Sequence, residues 1–183
     1  MSTEERVRRA AVELFAARGF HGTGIRDLAQ AAGLSSATLY HYMGTKEDLL
    51  AEIMRTSLTR LIEAAEQVIS ATDDPVERLT GLVEMHVRAH AEQQLETLVV
   101  DGEMRALTGP RREEVVALRD RYEQFWQDAI ASLDVDAPQV ARLAMLEMCS
   151  GVSRWYSPKG ALSLDDLASR YAGMALGMLG VRQ

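Results

Sequence analysis

Apolar positions recur along almost the whole chain at three- and four-residue spacing, the period of an amphipathic helix. Alternation with a period of two is essentially absent. Val7, Ala11, Leu14 and Phe15 form the first stripe behind a capping box at residues 2–5, and Gly19 and Gly22 bracket the first break. Thr23 can cap a second helix with a stripe of Ile25, Leu28, Ala29 and Ala32 that stops at Gly33. Leu34 or Ser35 opens a short third helix ending near Met43–Gly44. Thr45, followed by Asp48, caps a fourth running to about Ser70.

Further on, "TDDP" gives an Asp cap and a first-turn proline to a helix over about 75–93. The pattern predicts helices over about 95–107, 111–133 and 138–155, and a last one from Ser163, with Asp166 completing its cap. The expectation is an all-α fold of nine helices: an N-terminal domain of three short helices over 1–45 and a larger helical domain over 46–183.

Two short helices joined by "AAGLSS" match a helix-turn-helix, whose second helix enters the major groove. Counting about 100° per residue, Leu39 and Met43 share one face of that helix and point at the two helices before it. His41 and Ala37 lie nearly opposite, flanked by Tyr40 and Thr38, while Tyr42 lies nearer the buried edge. Ala37 is small enough for close approach to a base, such as a thymine methyl.

The stretch "RRAAVELFAARGFHGTGIRDLAQAAGLSSATLYHYMGTKEDLL" strongly resembles the N-terminal domain of the TetR/AcrR family of bacterial transcriptional repressors. The resemblance is dense over about residues 6–50, and one departure is Met43, where the family usually has Phe. It implies a nine-helix TetR-like fold, a double-stranded DNA operator as partner, and roles for matching residues. The Thr23 hydroxyl, Tyr42, Lys46 and the N–H groups opening the fourth helix would hold phosphates. Ser36, Ala37, Thr38, Tyr40 and His41 would line the groove or read bases. Arg6 and Arg9 are either a solvated helix face or a minor-groove arm.

One helix-turn-helix reads few base pairs, which two-fold dimers overcome by spacing two recognition helices about 34–36 Å apart. The family pairs its last two large helices, which implies a homodimer through Ala144, Met148, Gly151, Ala168, Ala172, Gly173, Ala175, Gly177 and Leu179. The alternative for these small residues is tight packing inside one subunit.

The middle helices are rich in Met and aromatic residues, which is first of all a core. Family members keep an inducer cavity here, which implies a ligand set of Met85, Ala89, Met104, Arg105, Tyr122, Phe125, Trp126, Met145 and Trp155. "GPRREEVVALRDRYEQFW" and "RWYSPKGALSLDDLASRY" are similar to the branch that answers acyl-CoA thioesters. That implies a small hydrophobic or acyl-CoA effector, with Arg105, Arg111 or Arg112 near its phosphates, that changes the separation of the recognition helices.

Net charge is −7, yet residues 1–50 hold six basic and six acidic side chains, so all of the excess lies in the remainder. A neutral N-terminal unit can still turn a basic face to phosphate. A single cysteine, Cys149, excludes an internal disulfide and suits a reducing cytoplasm. No apolar run approaches the length of a membrane span, the first residues lack the apolar stretch of a signal peptide, and nothing calls for a cofactor or metal. The rival enzyme reading rests on His86 and His90, an i, i+4 pair able to grip a metal but without the H-E-x-x-H pattern. A protein-binding helical adaptor would leave Thr23, Tyr40, His41 and Lys46 unexplained.

Overall fold

A computed structural model describes residues 2–181. Among them there are nine α-helices and no strand: α1 (Thr3–Gly22), α2 (Ile25–Ala32), α3 (Ser36–Met43), α4 (Lys46–Ala71), α5 (Pro75–Glu92), α6 (Gln94–Gly102), α7 (Gly109–Ala131), α8 (Pro138–Ser150) and α9 (Leu164–Met178). Short 3₁₀ turns follow α6 (Met104–Ala106) and α8 (Gly151–Arg154). The chain divides into two compact units, one of residues 2–58 with 95–118, the other of residues 59–94 with 119–181.

In the first unit α1, α2 and α3 pack on one another. Their core joins Phe15, Phe20, Leu28 and Leu39 to Leu50, Ile53 and Met54 of α4 and to Val99, Val100, Leu107 and Val115. Local chemistry sets the helix ends. The Ser2 hydroxyl accepts from the Glu5 N–H while the Glu5 carboxylate accepts from the Ser2 N–H, the capping box read from the sequence. The break in α1 falls at Gly19, at φ 74° and ψ 162°. Gly33 ends α2 in the left-handed conformation.

The turn from α3 to α4 has the tightest backbone. Gly44 sits at φ 65° and ψ −126°, and a Cβ built there would lie 2.9 Å from an Asp48 carboxylate oxygen. Asp48 is held in place because its Oδ2 accepts from both the N–H (2.9 Å) and the hydroxyl (2.6 Å) of Thr45. Any side chain at residue 44 therefore meets backbone strain and a fixed carboxylate together. Gly44→Ala is expected to destabilise the protein by about 1–3 kcal/mol, read as a lowered midpoint in chemical denaturation.

In the second unit α5 packs most extensively on α9 and also against α8. The Asp74 carboxylate caps α5 by accepting from the N–H groups of Val76 and Glu77, behind Pro75 in the first turn. Ser163 caps α9 by accepting from the Asp166 N–H. Its buried residues include Leu79, Leu82, Val83, Val87, Trp126, Ile130, Met145 and Cys149.

Candidate nucleic-acid interface

Helix α3 separates its residues as helical periodicity requires. Leu39 and Met43 are buried, whereas Ala37, Thr38, Tyr40 and His41 are exposed and Ser36 is half-exposed. Tyr40 leaves 51% of its surface open. Tyr42, expected nearer the buried edge, is 40% exposed and meets the His41 ring edge-on at 5.3 Å, so it is not a core residue. The helix starts on Ser35, whose hydroxyl accepts from the Thr38 N–H and lies 2.8 Å from the Thr38 hydroxyl. The exposed Thr38 is thus held from one side.

Two residues expected to hold phosphates have other roles inside the domain. Thr23 is 1% exposed, and its hydroxyl donates to the main-chain carbonyls of Gly19 (2.9 Å) and Leu14 (3.3 Å). It closes the Gly19 break, and its hydroxyl has no route to a phosphate in this conformation. Nor does it cap α2: Gly24 is the N-cap, and the Asp27 carboxylate accepts from the Gly24 N–H. Lys46 donates from Nζ to the carbonyls of Phe20 (2.7 Å) and Thr23 (2.8 Å) and lies 4.3 Å above the Phe20 ring centre. Two of its three donors therefore tie α4 to the end of α1, leaving one for a phosphate. Arg6 and Arg9 lie within α1 rather than on an extended arm, Arg6 half-buried and Arg9 exposed beside Glu13.

The first turn of α4 has further ties that the sequence did not reveal. Glu47 Oε1 accepts from the N–H (2.7 Å) and the hydroxyl (2.9 Å) of Thr108. Asp48 Oδ1 accepts from Arg111 Nε at 2.6 Å. The Thr45 hydrogen bonds, followed by Arg111, bring the Asp48 carboxyl down to about 2, and those from Thr108 lower that of Glu47. Arg111, a candidate for effector phosphates, is thereby engaged in the first unit.

The effector candidates are divided between the two units. Tyr122, Trp126 and Met145 are buried in the second unit, Met85, Ala89 and Phe125 are half-buried there, and Trp155 is 55% exposed. Met104 and Arg105 belong to the first unit, Met104 half-buried and Arg105 exposed. Trp155 lines an open surface hollow of about 550 Å³ with Leu162, Leu167, Arg170, Tyr171, Gly173 and Met174.

The buried polar centre of the second unit is His86. Its Nδ1 lies 2.7 Å from the Tyr122 hydroxyl and its Nε2 3.1 Å from the Ser150 hydroxyl. Its ring stacks on His90 at 3.7 Å, and His90 Nδ1 donates to the His86 carbonyl at 2.9 Å. A carbonyl only accepts, so Nδ1 of His90 carries the proton. Burial pushes both imidazoles down, His90 to about 4 and His86 well below its ordinary value. The pair is occupied in a hydrogen-bonded core, and among the described residues no three His, Cys, Asp or Glu side chains converge on a metal position.

The candidate dimer face divides in two. Ala168, Ala172 and Ala175, expected at the dimer interface, are buried in the second unit, which is the alternative of tight packing inside one subunit. Gly173 and Gly177 are exposed, and a Cβ on either would meet no atom within 4 Å. Beside them Met174 and Met178 are 47% and 52% exposed. On α8, Ala144 is exposed with Val140 and Leu143, while Met148 is half-buried; Gly151 and Leu179 are half-buried too.

Two short helices whose second turns an uncommitted polar and aromatic face to solvent define a helix-turn-helix protein of the DNA-binding class. Residues 7–53 match the family model for bacterial regulatory proteins of the tetR family, and residues 72–179 match the tetracyclin repressor-like C-terminal domain. The chain belongs to the TetR family of bacterial transcriptional regulators and is not an enzyme. It is 28% identical to the HTH-type transcriptional repressor KstR2 of Mycolicibacterium smegmatis, over 96% of this chain and 90% of that one. The TetR family regulator PfmR of Thermus thermophilus is 30% identical in sequence, with a TM-score of 0.83 over 97% of this chain and 99% of that one. AibR, solved in complex with isovaleryl coenzyme A and operator DNA, is 25% identical with a TM-score of 0.83 over 94% and 97% of the two chains. No helix of the described residues is long and apolar enough to cross a membrane.

Proposed function

We propose that the protein is a transcriptional repressor that binds a two-fold operator as a homodimer and is released by a small hydrophobic effector, an acyl-CoA thioester by preference. The observation that carries DNA reading is the outer face of α3. Ala37, Thr38, Tyr40 and His41 stand exposed on a helix pinned from beneath by Leu39 and Met43. Exposed rings and hydroxyls on such a helix suit base edges and thymine methyls, while Tyr42, the remaining Lys46 donor and the first-turn N–H groups of α4 suit phosphate.

Dimerisation is supported by the outward stripe of Gly173, Met174, Gly177 and Met178 on α9 and by Val140, Leu143 and Ala144 on α8. Glycines with open space above them weaken a helix without serving their own subunit's packing. Close approach by a second copy gives them a purpose. For the effector, the support is the likeness to AibR, which was solved in complex with isovaleryl coenzyme A. The ligand side chains in the second unit would be drawn from Met85, Ala89, Tyr122, Phe125, Trp126, Met145 and Trp155.

The test begins with selection of duplexes from a random-sequence pool by the purified protein. The expected product is an inverted repeat bound by one dimer, with affinity falling steeply as salt rises and DNA released when acyl-CoAs of graded chain length are added. Failure to enrich any duplex would refute the DNA reading. Enrichment without release by any thioester would refute only the effector.

A further inference from the structure

The first turn of α4 contains Lys46, Glu47 and Asp48, so it carries two carboxylates for one ammonium. It follows α3 across a turn of two residues, with the Gly44 N–H bonded to the Tyr40 carbonyl. A polyanion approaching α3 must come near this turn, and two free carboxylates there would repel it. Neither is free. Glu47 is held by both donors of Thr108, and Asp48 faces the Arg111 guanidinium. Both partners lie more than fifty residues away in sequence, at the start of α7, yet in the same compact unit as α3.

We infer that Thr108 and Arg111 are positioning residues for DNA reading: they hold the Glu47 and Asp48 carboxylates on the start of α7, and Arg111 cancels the excess negative charge beside the recognition helix. The inference rests on the proposed DNA reading by α3. The same unit includes two more ties of this kind, Arg8 Nη2 to Glu96 at 2.7 Å and Arg55 to Glu114 at 2.8 Å. Residues 95–118 are thus bound by charged contacts to α1 and α4. Loss of Arg111 would leave α4 its cap, since Thr45 and Asp48 bond each other directly. What would change is the charge that DNA meets.

The experiment is a double-mutant cycle, read by fluorescence anisotropy on a duplex that the wild-type protein has selected from a random-sequence pool. Arg111→Gln should weaken binding about tenfold at low salt, through one uncancelled charge per subunit, and the deficit should narrow as salt is raised. The double variant Asp48→Asn/Arg111→Gln, which keeps an amide oxygen for the Thr45 cap and restores the wild-type net charge, should bind within about twofold of the wild-type protein, because charge contributions add and the two losses offset. In parallel, Thr108→Val should weaken binding a few-fold and lose that effect in a Glu47→Gln background, so the test survives if Arg111→Gln does not fold. Wild-type affinity in both Arg111→Gln and Thr108→Val overturns the inference. So does a double variant as weak as Arg111→Gln alone, which would make Arg111 a direct DNA contact. If Tyr40→Ala abolishes binding while Arg111→Gln and Thr108→Val do not weaken it, only this inference fails; if the wild-type protein selects no duplex, the DNA reading fails with it.

Discussion

Tyr40→Ala is expected to weaken operator binding by roughly 30-fold or more, at about 1–3 kcal/mol per lost groove contact counted twice in a dimer, while leaving the fold unchanged. The reason is the division of labour along α3. Tyr40 is half exposed, and the hydrophobic anchoring of the helix is done by Leu39 and Met43. The helix also keeps its Ser35 cap and the Gly44 N–H bond to the residue 40 carbonyl, neither of which involves the ring. Truncation of an exposed side chain away from such features typically changes stability by no more than about 0.5 kcal/mol. The paired comparison is Leu39→Ala, which removes a fully buried side chain and should cost about 2–5 kcal/mol of stability. Both variants lose DNA binding, but only Leu39→Ala should lower the denaturation midpoint. Anisotropy titration and circular dichroism on the same preparations separate the two, and wild-type affinity in Tyr40→Ala would remove that residue from the interface.

The second large effect is on stability and comes from the second unit. His86 and His90 are buried, stacked at 3.7 Å and hydrogen-bonded in neutral form, with His90 at about 4 and His86 well below the ordinary value near 6.5. In the unfolded chain both imidazoles take up protons near pH 6.5, whereas the folded chain does so only at lower pH. The unfolded state therefore binds more protons in that window, so stability rises with pH there and falls on acidification. The contribution is complete above about pH 6.5 and is lost progressively as pH falls toward 4. At pH 5 His90 alone costs about 2 kcal/mol, and His86 acts in the same direction, against the roughly 5–15 kcal/mol by which domains are stable. Urea denaturation at intervals from pH 7.5 to 4.5 should show the midpoint falling steadily below pH 6.5. A midpoint unchanged between pH 7 and 5 would mean that the histidines are not buried as described. Asp48 adds no pH dependence in this window, because its carboxyl is lowered from 3.8 to about 2 on folding, so its contribution is complete above about pH 3.8 and is lost as pH falls from there through 2.

What could be read from the chain alone is what short-range chemistry decides. The caps at Ser2, Asp74 and Ser163, the Thr45–Asp48 pair and the left-handed Gly33 each act within a few residues, and each stands in the structure where its sequence places it. The division of α3 into an apolar underside and an open face follows from the helical repeat for the same reason. Where a helix end depends on a distant partner, the sequence misleads by a few residues. Thr108 is fixed by Glu47, 61 residues away, and α7 begins beside it at Gly109 rather than at 111. The stretch expected as one helix over 95–107 is α6 followed by a 3₁₀ turn.

Side-chain purpose was decided only by tertiary structure wherever a residue had two plausible partners. A threonine and a lysine beside a helix-turn-helix suit phosphate, but the carbonyls exposed at the Gly19 break accept from Thr23, and those of Phe20 and Thr23 accept from Lys46. Buried carbonyls are costly to leave unpaired, and the nearest donors satisfy them. Periodicity also shows that α9 has small residues on more than one face without saying which face meets its neighbours. Packing on α5 took Ala168, Ala172 and Ala175 inward and left Gly173 and Gly177 outside. Local spacing is written in the order of residues, whereas the choice among partners depends on which groups the folded chain brings within about 3 Å of one another.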